Sequence, residues 1–243
     1  MPKKFNILKC RDHTDSYYTE IDTIFSLPCR IIINGKSQLS GKMTTFFNWM
    51  CRSMYYRDYF LGVNIFIVSN NKLDNKISIM MEQLDVPPEN YMAFDEDTLD
   101  LLYDQLESEF INEVALGDKP ANRMIIFDDC AYSGSLKNKQ AGIVNKILMN
   151  GRHLNLSSII TSQKYSLIST GVRSNCTGAV CFNTNKKELE LIAEDHSYLE
   201  KKSQFISLFR SATKEKNSAM IINYSNPPEQ MYQNINFEVL KQA

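Results

Sequence analysis

The chain has 243 residues, 43% hydrophobic and 23% charged, which excludes a disordered or collagen-like polypeptide. At ~150 residues per domain it makes one α/β domain or two small ones. With 27 basic and 28 acidic residues the net charge is −1, which excludes a polycation. Any nucleic-acid contact must therefore come from a local patch, or from patches brought together by oligomerisation.

Taken in chain order, the N-terminal MPKKFNILKC lacks the apolar stretch of a secretory signal. Residues 1–27 are polar and mixed and read as an N-terminal extension. From Arg30 the rhythm changes: short Ile/Val-rich runs alternate with helical patterns, the sequence form of a parallel sheet covered by helices. The strands are expected at Arg30–Asn34, Val63–Ser69, Arg123–Asp128, Ser158–Ser162, Ala179–Phe182 and Ala219–Tyr224, each apolar enough to be buried on both faces. Between them, Phe46, Met50 and Met54 repeat every four residues. Leu99, Leu102, Tyr103, Leu106 and Phe110 follow three/four spacing, as do Ile143, Val144, Ile147 and Leu148 before the stop at Asn150–Gly151. Pro87–Pro88 breaks the chain before a short run, Tyr91–Phe94. Pro227–Pro228 ends the regular pattern, and residues 227–243 read as a tail. The expected organisation is one mainly parallel α/β domain over residues 28–226 with helices on both faces.

No apolar run is longer than four residues, as in Ile65 to Val68, against the ~20 of a membrane-spanning helix. Cys10, Cys29, Cys51, Cys130, Cys176 and Cys181 form no CxxC pair. None clusters with His13, His153 or His196 at metal-ligand spacing. Reduced thiols in a cytosolic-type compartment are expected.

Chemistry enters with NGKSQLSGKMTTF, residues 34–46, directly after the first strand. Gly41–Lys42 opens a helix, the setting in which backbone N–H groups curl around phosphate oxygens and the lysine reaches the β- and γ-phosphates. The P-loop pattern is GxxxxGK followed by Ser or Thr. Here Gly35 lies six residues before Gly41, so either the loop is one residue longer or Lys36 takes the first glycine's place. Gly35, Ser37, Ser40, Gly41, Lys42, Met43 and Thr44 are the expected nucleotide-contacting residues. Met43 stands where a Mg²⁺-binding hydroxyl is usual, and a thioether suits a hard cation poorly. Thr44 substitutes through a shifted helix start, or the metal is held less well.

Arg123–Asp129 is an apolar strand ending in two carboxylates, the form of a Walker B strand. Asp128 would hold Mg²⁺ through water, and Asp129 would orient or deprotonate the attacking water. A further strand, Ser158–Ser162, ends at Gln163. Its amide can donate and accept at once, which suits a sensor of the γ-phosphate or of the attacking water.

The order NGKSQLSGKMTTF, IIFDD, NGRHLNLSSIITSQ and GVRSNC resembles the viral genome-packaging ATPases of the poxvirus type, within the FtsK–HerA superfamily. The stretch Gly151–Ser157 leading to Gln163 is the most telling part, supported by Val172–Asn175. The resemblance spans roughly residues 28–224. It implies a RecA-like P-loop (ASCE) core, ATP hydrolysis with Mg²⁺, a homo-oligomeric ring (pentamer or hexamer) and translocation of double-stranded DNA into a preformed capsid. It also implies a capsid or portal-vertex partner, and residence in the host cytoplasm or the virion. Lys42 matches the Walker A lysine, Asp128 the Walker B aspartate, Asp129 the second acidic residue and Gln163 the sensor glutamine. Met43 and the lengthened loop depart from the pattern.

A ring ATPase needs a cation from the neighbouring subunit, which is worth roughly 10³–10⁵-fold in rate. Arg173 and Arg152 are the candidates, each with a structural ion pair as its alternative role. Ser133–Lys139, with Lys164 and Lys186–Lys187, could contact DNA phosphates, or could simply be solvated. Two other readings stay open: a small nucleotide kinase, and a nucleotide-gated assembly subunit with weak hydrolysis.

Overall fold

The computed structural model describes residues 17–36, 40–71, 75–130 and 142–241. Its strands are β1 (Arg30–Asn34), β2 (Ile65–Ser69), β3 (Tyr91–Met92), β4 (Arg123–Asp128), β5 (Leu156–Ser162), β6 (Gly178–Phe182), β7 (Ala219–Asn223) and β8 (Tyr232–Asn234). Its helices are α1 (Lys42–Cys51), α2 (Asn75–Gln83), α3 (Glu96–Leu116), α4 (Ile143–Asn150), α5 (Thr170–Ser174), α6 (Lys186–His196) and α7 (Lys202–Ala212).

All eight strands share one sheet in the order β3-β2-β4-β5-β1-β6-β7-β8. From β3 to β6 every pairing is parallel; β7 and β8 join antiparallel. The expected mainly parallel sheet is thus observed. Alternate residues face opposite sides. Ile32, Ile125 and Phe127 pack under α3 to α7, while Ile31, Ile33, Met124 and Ile126 pack under α1 and α2. Helices cover both faces, so strands without polar alternation are what burial requires.

Local chemistry sets the elements. Asp95 caps α3 by accepting from the Thr98 N–H at 2.8 Å, and acidic Glu96 and Asp97 occupy its first turn. Buried Arg123 at the start of β4 pairs with Glu113 of α3 at 2.7 Å, which ties that helix to the sheet. The Gly151–Asn155 stretch turns the chain into β5. It forms a short 3₁₀ turn, after which Asn155 (φ 53°) donates its amide to the Pro120 and Ala121 carbonyls and to the Asn122 side chain. That turn delivers β5 into register between β1 and β4.

Several boundaries differ from expectation. Helix α1 stops at Cys51, because the chain turns so that the Tyr56 N–H reaches the Trp49 carbonyl and its hydroxyl the Phe25 carbonyl. Met54 therefore lies beyond the helix and is exposed. Gly62–Asn64 is a 3₁₀ turn with Val63 exposed, so β2 begins at Ile65, opposite Met124. The run after Pro87–Pro88 supplies only two strand residues, Tyr91–Met92. The expected tail carries β8, whose Tyr232 pairs with Ile222 and packs into the core. A three-residue strand with one apolar anchor gives no periodic signal. Within the expected extension, Ile21, Ile24, Phe25 and Leu27 are buried under the sheet.

Candidate functional site

Parallel strands end together. The C-terminal ends of β1, β5 and β4, adjacent in the sheet, gather the polar residues that follow them. Ligands bind at such strand ends in open α/β sheets.

After β1 the chain enters the loop at Gly35, whose N–H donates to the Ser162 carbonyl at 3.0 Å. A Cβ at Gly35 would lie 2.7 Å from Ser40 Oγ and 3.0 Å from Phe182 Cβ, so no side chain fits there. The crowding favours glycine at residue 35. Ser40 donates to the Lys36 carbonyl at 2.7 Å and accepts from the Lys42 N–H at 3.3 Å, which folds the loop back towards its start. Gly41 adopts φ 80°, a left-handed turn that favours glycine, and launches α1 with no side-chain cap. Apart from the Lys42 N–H that Ser40 takes, the first-turn N–H groups of α1 have no side-chain cap and can receive an anion. Ser37 lies outside the described residues.

Lys42 is buried, and its Nζ lies 3.5 Å from Thr161 Oγ1. Among the described residues no carboxylate lies within salt-bridge distance of it. Thr161 is wholly buried in β5 and donates to Asp128 Oδ1 at 2.6 Å. The Asp129 N–H points back to Thr161 Oγ1 at 3.2 Å. Asp129 itself has φ 53°, a conformation that Asp tolerates better than most residues, and this turns its carboxylate off the strand. Gln163 then donates its amide to Asp129 Oδ2. Lys42, Thr161, Asp128, Asp129 and Gln163 thus form one connected polar set.

Lys42, Asp128, Asp129 and Gln163 line a cavity of about 660 Å³ together with Lys36, Ser40, Gly41, Met43 and Thr44, while Thr161 lies buried behind them. Thr44 offers its hydroxyl, which accepts from Lys76 Nζ of α2 at 2.8 Å. Met43 borders the cavity but packs against the core beneath α1. Mg²⁺ takes one or two protein oxygens and completes its shell with phosphate and water; Asp128 offers one, and the Thr44 hydroxyl would be the second once released by the Lys76 ammonium. The neighbouring Cys130 thiol is buried and donates to the Val68 carbonyl at 3.2 Å; burial, reinforced by Asp128 and Asp129, pushes it up to about 12.

The two arginines are elsewhere. Arg173 pairs with Asp195, donates to Thr170 Oγ1 at 3.1 Å and sits 5.0 Å from the Tyr165 ring centroid. It borders a separate cavity of about 440 Å³ with His196 and Tyr224. There the Tyr165 hydroxyl meets Asp195 at 2.9 Å and His196 Nε2 at 2.7 Å, while His196 Nδ1 meets the Tyr224 hydroxyl. Burial, with Arg173 adding, pushes His196 down to about 4, so it packs as a neutral ring. Arg152 is exposed on the turn before β5, at the opposite end of that strand from Gln163, and among the described residues makes no ion pair. Neither arginine reaches the cavity of its own chain. Ser133–Lys139 lies outside the described residues. Lys164, Lys186 and Lys187 are exposed, with Lys186 3.8 Å from Glu190.

The family model of the poxvirus A32 protein matches residues 20–234. The chain belongs to the poxvirus A32 protein family. The resemblance to viral genome-packaging ATPases of the poxvirus type, read from the motifs, is thereby borne out. No curated protein matches the chain in sequence. Among solved structures, B204, the DNA-packaging ATPase from Sulfolobus turreted icosahedral virus, is similar with TM-score 0.58 at 14% identity, covering 86% of this chain and 97% of B204. The genome packaging NTPase B204 from Sulfolobus turreted icosahedral virus 2 is similar in its complexes with AMPPCP (TM-score 0.56, 14% identity, 85% of this chain and 96% of that one) and ATP-gammaS (0.52, 15%, 87% and 98%). At such identities the likeness is one of fold.

In this A32-family chain the residue that sequence reading missed is Thr161. A threonine inside an apolar strand looks like ordinary β filler. Only its place two residues before Gln163, on the strand between β1 and β4, singles it out. Thr161→Val keeps the shape and removes the hydroxyl. It should cost about 1–2 kcal/mol of stability and slow nucleotide hydrolysis, with Thr161→Ser restoring both. Thermal unfolding and phosphate release measure the two effects. A Val variant with unaltered turnover would make the hydroxyl purely structural.

Proposed function

We propose that this chain is the ATP-hydrolysing subunit of a genome-packaging motor that translocates double-stranded DNA into a preformed capsid. The observation that carries the reading is the buried Lys42 ammonium, without a carboxylate partner among the described residues, facing the strand-end cavity beside Asp128, Asp129 and Gln163. A buried cation costs free energy unless something anionic balances it, and a triphosphate does so.

In this reading the loop N–H groups and Lys42 bind the β- and γ-phosphates. Thr44 and Asp128 would hold Mg²⁺, which supplies Lewis-acid polarisation of the phosphate oxygens. Asp129 orients a water for in-line attack on the γ-phosphorus and takes its proton as the bond to the β–γ bridging oxygen breaks. Gln163 holds Asp129 in place and can share the water. An acid–amide pair on water suits hydrolysis better than transfer to a small acceptor, which weighs against a kinase. The position of Thr44 weighs against a gated subunit that lacks a metal ligand.

Thr44→Ala should weaken divalent-metal binding in the presence of nucleotide, read with Mn²⁺ by electron paramagnetic resonance. Met43→Thr should be nearly neutral, because residue 43 packs against the core. The reverse pattern would return the metal position to residue 43.

Assembly supplies what one chain lacks. Of the two arginines, Arg152 is proposed to act on a neighbour's nucleotide in a ring, because it makes no ion pair among the described residues whereas Arg173 pairs with Asp195. A capsid or portal-vertex protein is the proposed docking partner, in the host cytoplasm or the virion. The function as a whole is tested by phosphate release with and without duplex DNA. Stimulation by DNA is expected. Turnover that depends on a small acceptor would favour the kinase, and binding without turnover would favour the gated subunit.

A further inference from the structure

The phosphate cavity carries a cation, Lys76, that the motifs do not account for. Helix α2 opens at Asn75, and both Asn75 and Lys76 line the cavity beside Lys42 and Thr44 of α1. The helix is anchored there by Ile77 and Met80, buried in the same core cluster as Phe46 and Met50 of α1. No acidic residue stands in the first turn of α2, where the helix dipole favours one. A lysine stands there instead. A cation at the positive end of a helix is unfavourable unless an anion faces both. Lys76 Nζ donates to the Thr44 hydroxyl at 2.8 Å, the oxygen assigned above to Mg²⁺. An ammonium and a divalent cation repel at such range, so a metal on Thr44 requires Lys76 to move. Its stem is exposed and flexible, but it is rooted in a packed helix, so the ammonium stays within a side chain's length of Thr44.

We propose that Lys76 reads the γ-phosphate: it leaves the Thr44 hydroxyl for that phosphate when a metal-bound triphosphate enters, and so makes the site distinguish triphosphate from diphosphate. The inference rests on the nucleotide reading above and adds the residue that tells the loaded site from the spent one. A metal ion at this position bridges the β- and γ-phosphates, so the anion closest to a displaced Lys76 is phosphate oxygen. Charge balance points the same way. Lys36, Lys42, Lys76 and Lys216 line the cavity with Asp128 and Asp129, a surplus of two positive charges. A triphosphate with one Mg²⁺ brings about two negative charges and a diphosphate about one, so the surplus matches the triphosphate. An ammonium on a phosphate oxygen makes a charge-assisted bond, stronger than the neutral one to Thr44 that it gives up. With a diphosphate nothing draws Lys76 off Thr44, and the metal has to compete for the hydroxyl. Lys76 sits on an ordinary amphipathic helix, so no motif announces it.

The test compares the non-hydrolysable triphosphate AMPPNP with ADP. Each is titrated calorimetrically with Mg²⁺ into the full chain and into Lys76→Met, which keeps the stem and removes the charge. The variant is expected to lose roughly tenfold or more in AMPPNP affinity and no more than about twofold in ADP affinity. Lys76→Arg, which restores a cation, should recover part of the AMPPNP affinity. Mn²⁺ in the ADP complex, followed by electron paramagnetic resonance, should bind Lys76→Met several-fold more tightly than the unaltered chain, because the Thr44 hydroxyl is released. Retained ADP binding shows that the variant is folded with its phosphate loop intact. Equal losses for AMPPNP and ADP, or no loss for AMPPNP, would overturn the γ-phosphate role while leaving the phosphate site standing. Weaker Mn²⁺ binding by Lys76→Met would overturn the exchange at Thr44. Binding of both nucleotides that survives Lys42→Ala unchanged would overturn the phosphate-site reading itself, and the role of Lys76 with it.

Discussion

Lys42→Ala weakens ATP binding by about 10²-fold or more, because it removes the one buried cation directed at the β- and γ-phosphates from a desolvated site. The same change should not destabilise the chain. Lys42 Nζ touches Thr161 Oγ1 at 3.5 Å and, among the described residues, has no carboxylate in salt-bridge range. A buried ammonium so placed costs stability until an anion arrives. Lys42→Met, which fills the same volume without charge, should therefore melt at or above the wild-type temperature while binding no ATP. Calorimetric titration and thermal unfolding on the same samples check both halves. A methionine variant that binds ATP normally would remove Lys42 from the phosphate site. One that unfolds far below wild type would make the lysine structural.

Asp129→Asn lowers turnover by roughly 10²–10⁴-fold and leaves ATP affinity close to wild type, since an amide cannot take a proton from water. Asparagine is the informative replacement. The residue sits at φ 53°, where Asn and Asp are tolerated and Ala is strained. The Asn oxygen can still accept from Gln163, so the local geometry survives. Single-turnover phosphate release set beside equilibrium nucleotide binding separates chemistry from affinity. Loss of both in equal measure would assign Asp129 to holding the loop.

Lys42, Asp128, Asp129 and Gln163 were legible because their signal is local. A Gly-Lys after one strand, two carboxylates after another and an amide after a third each sit where parallel strands must end. The sheet then brings those ends side by side without further instruction. Thr161 was not legible, because its role comes from strand order alone: β5 lies between β1 and β4, which no local pattern states. Arg173 shows the converse. Its place in a matched segment offered a cation for catalysis or a structural ion pair, and within the chain it pairs with Asp195, 22 residues on. Likewise Gly151–Asn155, which carries much of the family likeness, turns the chain into β5 at the end of that strand opposite Gln163. Strand β8 escaped notice since three residues with a single apolar anchor cannot show a period.

The central claim is that a nucleoside triphosphate is held at the C-terminal ends of β1, β4 and β5. Amide hydrogen exchange across the whole chain, with and without a non-hydrolysable ATP analogue and Mg²⁺, tests it most directly. Protection is expected at Gly35, in the first turn of α1 and at Asp129 and Gln163, with no change around Arg173 and His196. Binding of the analogue with protection confined to the Arg173–His196 cavity, and none in the first turn of α1, would contradict the account.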